Sequence, residues 1–239
     1  MPRKPINVRD FLANLPLFRE LSAEEIARMA AGSVEIDAPR GTMLVHRGDP
    51  CRGFHIVIFG QVKLALQAPG GGEKVVELIG PGMSFGEPVM FLDKPYMVNA
   101  TALADSLLLH ISRDVVTAEI ERDPGFARRI IAGLSRRLHH LIDDLEAVSL
   151  HSGMQRVIGY LLRDESALNS INSLHLTLPA KKGVIASHLN LTHEHFSRIL
   201  HELIEAGLIE VDGPRVTIPN ISRLRSHAGL ATEVAEPGA

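Results

Sequence analysis

The sequence lacks most of the features that would announce a chemistry. Cys51 is its only cysteine in 239 residues, which excludes an intramolecular disulfide and a four-cysteine iron–sulfur cluster or zinc site within one chain. No apolar run approaches the ~18 residues that a membrane span requires. The basic start, Met1-Pro2-Arg3-Lys4-Pro5, leads into no apolar signal core, which predicts a chain that is not exported and stays cytoplasmic, with no membrane partner. Neither sign of charge dominates. The 25 Lys+Arg against 28 Asp+Glu leave a formal charge of -3, so neither a polybasic tail nor an acidic solvating segment is present. Nor is there a Gly-rich phosphate loop, a His pair at i, i+4 or a Gly-x-Ser-x-Gly elbow. His193-Glu194-His195 has the wrong spacing for a zinc-protease helix, so no catalytic residue is expected.

What is present is the composition of a globular protein, 45% hydrophobic and 22% charged, enough to bury one large core or two modest ones. Three textures follow one another. Leu12, Leu15, Leu17, Phe18 and Leu21 lead into Ser22-Ala23-Glu24-Glu25, a capping box that starts a short helix. From about Glu35 to Ser112 the period shortens to strands such as Phe54–Phe59, Val62–Leu66, Val75–Ile79 and Ser106–Ile111. Glycine turns punctuate them, which predicts a sandwich, barrel or roll. Pro69-Gly70-Gly71-Gly72 is placed to close a hairpin.

Asp123-Pro124 then reads as a helix start. Ala127, Ile131, Leu134, Leu138, Leu141, Leu145 and Val148 recur in steps of four and three, an a/d seam of about three heptads. Such a seam suits a helix pairing with its twin in a homodimer, or one packed on its own domain. After His151-Ser152-Gly153 comes a second unit: a helix over Met154–Arg163, a strand over Leu174–Leu178, helices over Lys182–Leu189 and His193–Ala206, and a hairpin turning at Asp212-Gly213. The expected divisions are 1–122, 123–150, 151–225 and a loose tail over 226–239.

The two helices joined by Asn190-Leu191-Thr192 describe a helix-turn-helix, and the strand pair behind them gives it a wing. Asn190 tolerates the left-handed turn conformation, Thr192 can cap the second helix, and Ala186 is small where the helices approach. The early face of the second helix offers His193, Glu194, Ser197 and Arg198, the position from which base edges are read. Arg198 suits guanine O6/N7, Glu194 suits cytosine N4 and Ser197 either base. Residues 152–224 carry seven basic and seven acidic side chains, so phosphate binding would rest on clustering of Lys181, Lys182, Arg198 and Arg215 and on helix N-termini. The competing reading is a helical hairpin with a solvated face.

A glycine-punctuated roll, a heptad helix and a winged helix-turn-helix, in that order, resemble the Crp/Fnr family of bacterial transcription regulators over about residues 15–225. The most specific pieces are Phe85-Gly86-Glu87 after Gly80-Pro81-Gly82, and Glu194-His195-Phe196-Ser197-Arg198. The resemblance implies an α+β chain: an N-terminal cyclic-nucleotide-binding-like β-roll, a long dimerisation helix and a C-terminal winged helix-turn-helix. It implies a homodimer that binds palindromic double-stranded DNA and works with RNA polymerase. Cyclic-AMP-binding members carry Arg and then Ser or Thr where this chain has Met97 and Val98, which argues against cyclic AMP. Oxygen sensing through a cysteine-held cluster has no cysteines to use. Glu194, Ser197 and Arg198 match Fnr-type recognition helices, which read TTGAT-like half-sites.

The stretch from Phe85 to Pro95 is similar to the dissimilatory nitrate respiration regulator subgroup. So are Leu134-Ser135-Arg136-Arg137-Leu138-His139 and His195-Phe196-Ser197-Arg198-Ile199. That likeness implies haem-dependent sensing of nitric oxide and activation of denitrification or anaerobic respiration genes. The soft residues Met83, Phe85, Met90, Phe91 and Met97, with Gly86 and Glu87, form the expected effector pocket. An axial ligand would be sought among His139, His140 and His188. A different small apolar effector, or a ligand-sensing module that binds no DNA, are the alternatives.

Overall fold

The structure, a computed structural model, describes residues 6–15, 17–18, 20–67, 71–150, 152–163 and 173–229, without the side chains of residues 137 and 140–150. It divides into two units, residues 1–141 and 142–239.

The first unit opens with two short helices, α1 (Val8–Ala13) and α2 (Ala23–Ala31). The capping box is in place: the Glu25 N–H donates to Ser22 Oγ at 3.2 Å and the Ser22 N–H donates to Glu25 Oε2 at 2.7 Å. Five strands follow, β1 (Ser33–Ala38), β2 (Met43–Val45), β3 (Gly53–Phe59), β4 (Val62–Gln67) and β5 (Glu73–Ile79). Then come β6 (Ser84–Phe85), α3 (Glu87–Phe91), β7 (Asn99–Ala102), β8 (Ser106–Ser112), α4 (Arg113–Arg122) and α5 (Pro124–Leu150), of which the residues up to 141 belong to this unit. The strands make two antiparallel sheets, in the orders β1-β8-β3-β6 and β2-β7-β4-β5. One core joins them, with Ile56 and Leu109 from the first sheet and Val62, Leu64 and Ala100 from the second. The expected β4–β5 hairpin pairs from Val62↔Ile79 to Gln67↔Glu73, with a one-residue register shift between Leu64 and Ala65; residues 68–70 of its turn lie outside the described residues.

Helix α5 starts as the sequence predicts. Asp123 Oδ1 accepts the Gly125 N–H at 2.8 Å, and Pro124 fills the first helical position, where a missing N–H is harmless. Paired charges fasten α2, α4 and α5 to one another. Arg129 bonds both Glu25 and Asp123, and Arg28 grips Glu119 with two bonds of 2.7 Å. Glu25 and Glu119 are buried, and buried carboxylates persist only when paired. Burial alone would raise the Glu25 pKa, but the Ser22 N–H and Arg129 outweigh it and leave it below the usual value.

The second unit comprises α6 (Gly153–Leu162), β9 (Leu174–Thr177), α7 (Lys182–His188), α8 (His193–Glu205), β10 (Glu210–Asp212), β11 (Arg215–Ile218) and α9 (Ile221–Ala228). Its sheet has the order β10-β11-β9, all antiparallel. Ile158, Ile185, Phe196, Leu203 and Val216 share its core. The loose tail expected over 226–239 needs one correction, because α9 reaches Ala228. It is capped by the Asn220 side chain, stopped by the left-handed Gly229 and anchored by buried Ile221, Leu224 and Ala228. Residues 230–239 lie outside the described residues.

Candidate functional site

The α7–turn–α8 motif has the geometry that its residues require. Asn190 sits at φ 57, and the Leu191 N–H returns to the Ala186 carbonyl at 2.9 Å. Thr192 Oγ1 accepts the His195 N–H at 3.1 Å, the expected cap of α8. Phe196, Ile199, Leu200 and Leu203 turn inward, while Thr192, His193, Glu194 and Arg198 are exposed and Ser197 is half-buried. The other basic residues border this face in sequence. Lys181 is the exposed residue before α7, Lys182 is half-buried, and a Cβ on Gly183 would lie 3.7 Å from His193. Arg215 is exposed on β11, opposite Thr177 and Asp212 in register. The turn between β10 and β11 touches the segment after β9, since the Leu178 N–H donates to the Pro214 carbonyl at 2.7 Å. Thr192, Glu194 and Arg198 thus expose a hydroxyl, a carboxylate and a guanidinium at one helix start, groups that can bond phosphates and base edges.

The seven expected effector residues take different places in the first unit. Gly86 sits at φ 103 before α3, and a Cβ there would lie 3.0 Å from the Tyr96 hydroxyl. Glu87 is buried and accepts from the Ser84 hydroxyl. Phe85 and Met90 belong to the core, whereas Met83, Phe91 and Met97 are exposed. Phe85 stacks on His55 with centroids 4.9 Å apart, and His110 lies 4.7 Å from His55 on the other side. Burial, then the neighbouring His110, pushes the His55 pKa down to about 3. Burial also lowers that of His110, against a hydrogen bond to the Phe54 backbone.

An apolar groove of about 530 Å³ opens elsewhere. Pro88, Phe91 and Leu92 form one wall, and Ile120, Ile131, Leu134 and Leu138 are among the residues facing them. Of the seven expected residues, Phe91 alone lines it, and among the described residues no histidine does. Sequence reasoning missed Pro88, Leu92 and Ile120 because they come from α3 and α4, which carry no periodic apolar stripe of their own. Ile131 and Leu138 of the seam are each 59% exposed and Leu134 is half-buried. The side chains of Leu141, Leu145, Val148 and His140 lie outside the described residues. His139 is exposed on α5, and His188 is half-buried on α7 with its ring edge-on to Tyr160. Among the described residues, no three His, Cys, Asp or Glu side chains are grouped to hold a metal ion, and no helix is long and apolar enough to cross a membrane.

Comparison with known proteins follows the same division. Residues 35–123 match the model of a cyclic nucleotide-binding domain, and residues 155–227 that of a Crp-like helix-turn-helix domain. The chain is 30% identical over 219 residues to the cyclic AMP receptor protein of Thermus thermophilus, covering 90% of this chain and 98% of that one. It is similar to the crystal structure of DNR from Pseudomonas aeruginosa at 31% identity and a TM-score of 0.54, covering 94% of this chain and 99% of that one. FixK2 of Bradyrhizobium japonicum, at 22% identity, shares the fold with a TM-score of 0.73 over 84% of this chain and 99% of that one.

Proposed function

The chain belongs to the Crp/Fnr family of transcriptional regulators, and on that premise we propose that it is a homodimer whose effector controls binding to a TTGAT-type palindrome. The observation that carries this reading is the exposed start of α8, where Glu194 and Arg198 stand clear of the core and Ser197 is half-buried beside them. Arg198 has the two parallel donors that guanine O6/N7 accepts, and Glu194 can accept from cytosine N4. Lys181, Lys182 and Arg215, with the first N–H groups of α8, hold flanking phosphates. No residue is assigned a catalytic role. Fluorescence anisotropy on a labelled TTGAT palindrome and a scrambled duplex tests the reading. The palindrome should bind about 10³-fold tighter or better, and Arg198→Ala should lose about 1–3 kcal/mol on it. Equal affinity for both duplexes would overturn the assignment of base reading to α8.

The effector is proposed to be apolar and not a cyclic nucleotide, because Met97 and Val98 offer no cation or hydroxyl to a cyclic phosphate. The groove beside α5 suits such a molecule. Occupying it would bias α5 between two pairings with its twin, setting the two recognition helices about one DNA turn apart. Haem and nitric oxide are the pair that the resemblance implies, and haem would supply a metal position for the gas. The groove fits haem only in part: its wall is apolar, but among the described residues no imidazole lines it. His139 is exposed one residue beyond Leu138 and is the first ligand to test. Activation of denitrification or anaerobic respiration genes, through contact with RNA polymerase at the promoter, completes the proposal. Titration with haem followed by visible absorption should saturate and respond to nitric oxide. A featureless, non-saturating titration would remove haem and leave the DNA reading intact.

A further inference from the structure

The helix that precedes the reading motif touches it at the turn. Arg156, one turn into α6, donates from Nη1 to the Leu189 carbonyl at 2.6 Å and to the Asn190 carbonyl at 3.3 Å. These carbonyls close α7 and open the turn, where a helix leaves its last acceptors without partners and favours a cation. The Arg156 Nε is sealed from solvent with no hydrogen-bond partner among the described residues, and its guanidinium meets these carbonyls through Nη1. Asn190 holds a left-handed conformation that a side chain adopts at some cost. Thr192, the cap of α8, follows two residues later.

Two more contacts make the first turn of α6 a fixed reference for the motif. A Cβ on Gly153 would meet His195 Cε1 at 3.1 Å, Leu191 Cδ2 at 3.2 Å and Ile199 Cδ1 at 3.3 Å, so the α6 backbone abuts the start of α8. Gln155 Nε2 donates to the Ala228 carbonyl at 2.9 Å, tying down the end of α9. We propose that Arg156 is a positioning residue for DNA reading: by bonding the Leu189 and Asn190 carbonyls it fixes the turn, and so the direction in which α8 presents Glu194, Ser197 and Arg198. The inference deepens the DNA-reading proposal and rests on it for its consequence, though the local claim about the turn does not.

Arg156→Met keeps much of the aliphatic stem and removes every donor; Arg156→Lys keeps the charge and can reach one carbonyl at a time. Both variants of the full chain are measured for binding to the TTGAT palindrome and the scrambled duplex. Hydrogen exchange is followed at the Leu191 amide, which closes the turn, and at the Leu203 amide inside α8. Arg156→Met should weaken palindrome binding tenfold or more and change scrambled binding less than twofold, with Arg156→Lys in between. The Leu191 amide should exchange at least tenfold faster and that of Leu203 as in the parent. Parental protection at Leu191 would overturn the proposal, as would equal losses on both duplexes, the mark of a direct phosphate contact. If the parent itself fails to distinguish the duplexes, the function reading falls, while Leu191 exchange still decides whether Arg156 fixes the turn. Should Arg156→Met not fold, Arg156→Lys carries the exchange test alone: faster exchange at Leu191 with Leu203 unchanged supports the role, and an unchanged Leu191 refutes it.

Discussion

His55 ties the stability of the first unit to pH, because it is buried between Phe85 and His110 and its Nδ1 has no hydrogen-bond partner among the described residues. Its folded pKa of about 3 lies below the usual 6.5, so the unfolded chain takes up the extra proton first. The contribution of His55 is therefore complete above pH 6.5 and is lost as pH falls toward 3, by about 1.4 kcal/mol for each unit. His55→Leu should flatten the decline. Denaturant titrations at pH 7.5, 6 and 5 check this: parallel declines in parent and variant would place the acid sensitivity in other groups. At this scale the sequence was informative for α8, since Thr192, Asn190 and Phe196 each had one role that suited their chemistry. It was silent on His55, whose neighbours Phe85 and His110 are 30 and 55 positions away and meet it only through strand pairing. Arg156 was equally hidden, because its acceptors are backbone carbonyls, which every residue has.

Among elements, legibility followed signals that act locally. The hairpin, the capping box and the Asp123-Pro124 start were readable because glycine, serine, aspartate and proline act within a few residues of themselves. Helix α4 was not, since its buried face holds Val116 and the carboxylate of Glu119, and the two short bonds that make Glu119 tolerable there come from Arg28, 91 residues away. Strand β7, Asn-Ala-Thr-Ala, alternates in burial but buries nothing larger than alanine. Contact between elements also explains Gly133 in the middle of α5, where glycine costs about 1 kcal/mol relative to alanine. A Cβ there would lie 2.7 Å from Leu17 Cδ1 and 3.1 Å from the Leu17 carbonyl oxygen, so the segment before α2 lies directly against the helix. Gly133→Val should force the two apart and destabilise the first unit by about 1–3 kcal/mol. Thermal unfolding monitored at that unit reads the effect; an unchanged or higher midpoint would mean that the Leu17 segment yields freely.

For the molecule as a whole, the decisive quantity is how many reading helices one DNA-binding particle holds. A palindrome presents two half-sites about one turn apart, and one chain supplies one α8, so recognition of the full site requires two copies. The first unit displays a surface suited to this: Ile131 and Leu138 are each 59% exposed on α5, beside the apolar groove. Covering a side chain of that size contributes about 1.5–3 kcal/mol, and heptad spacing repeats the gain along a symmetric pair. A haem or another apolar molecule in the groove would share this surface, which gives an effector a physical route to the pairing of the helices. Leu138→Glu separates the roles. A carboxylate at the seam should be opposed by its own copy across the two-fold axis, while in one chain it points to solvent and leaves the fold intact. The parent should sediment at twice the 26.1 kDa chain mass, and the variant at the chain mass with an unchanged circular dichroism spectrum. The variant should also lose the advantage of a palindrome over a single half-site, because the second α8 is no longer delivered with the first. A variant that still sediments as a pair would move the dimer contact off this seam, and the pairing route for the effector would go with it.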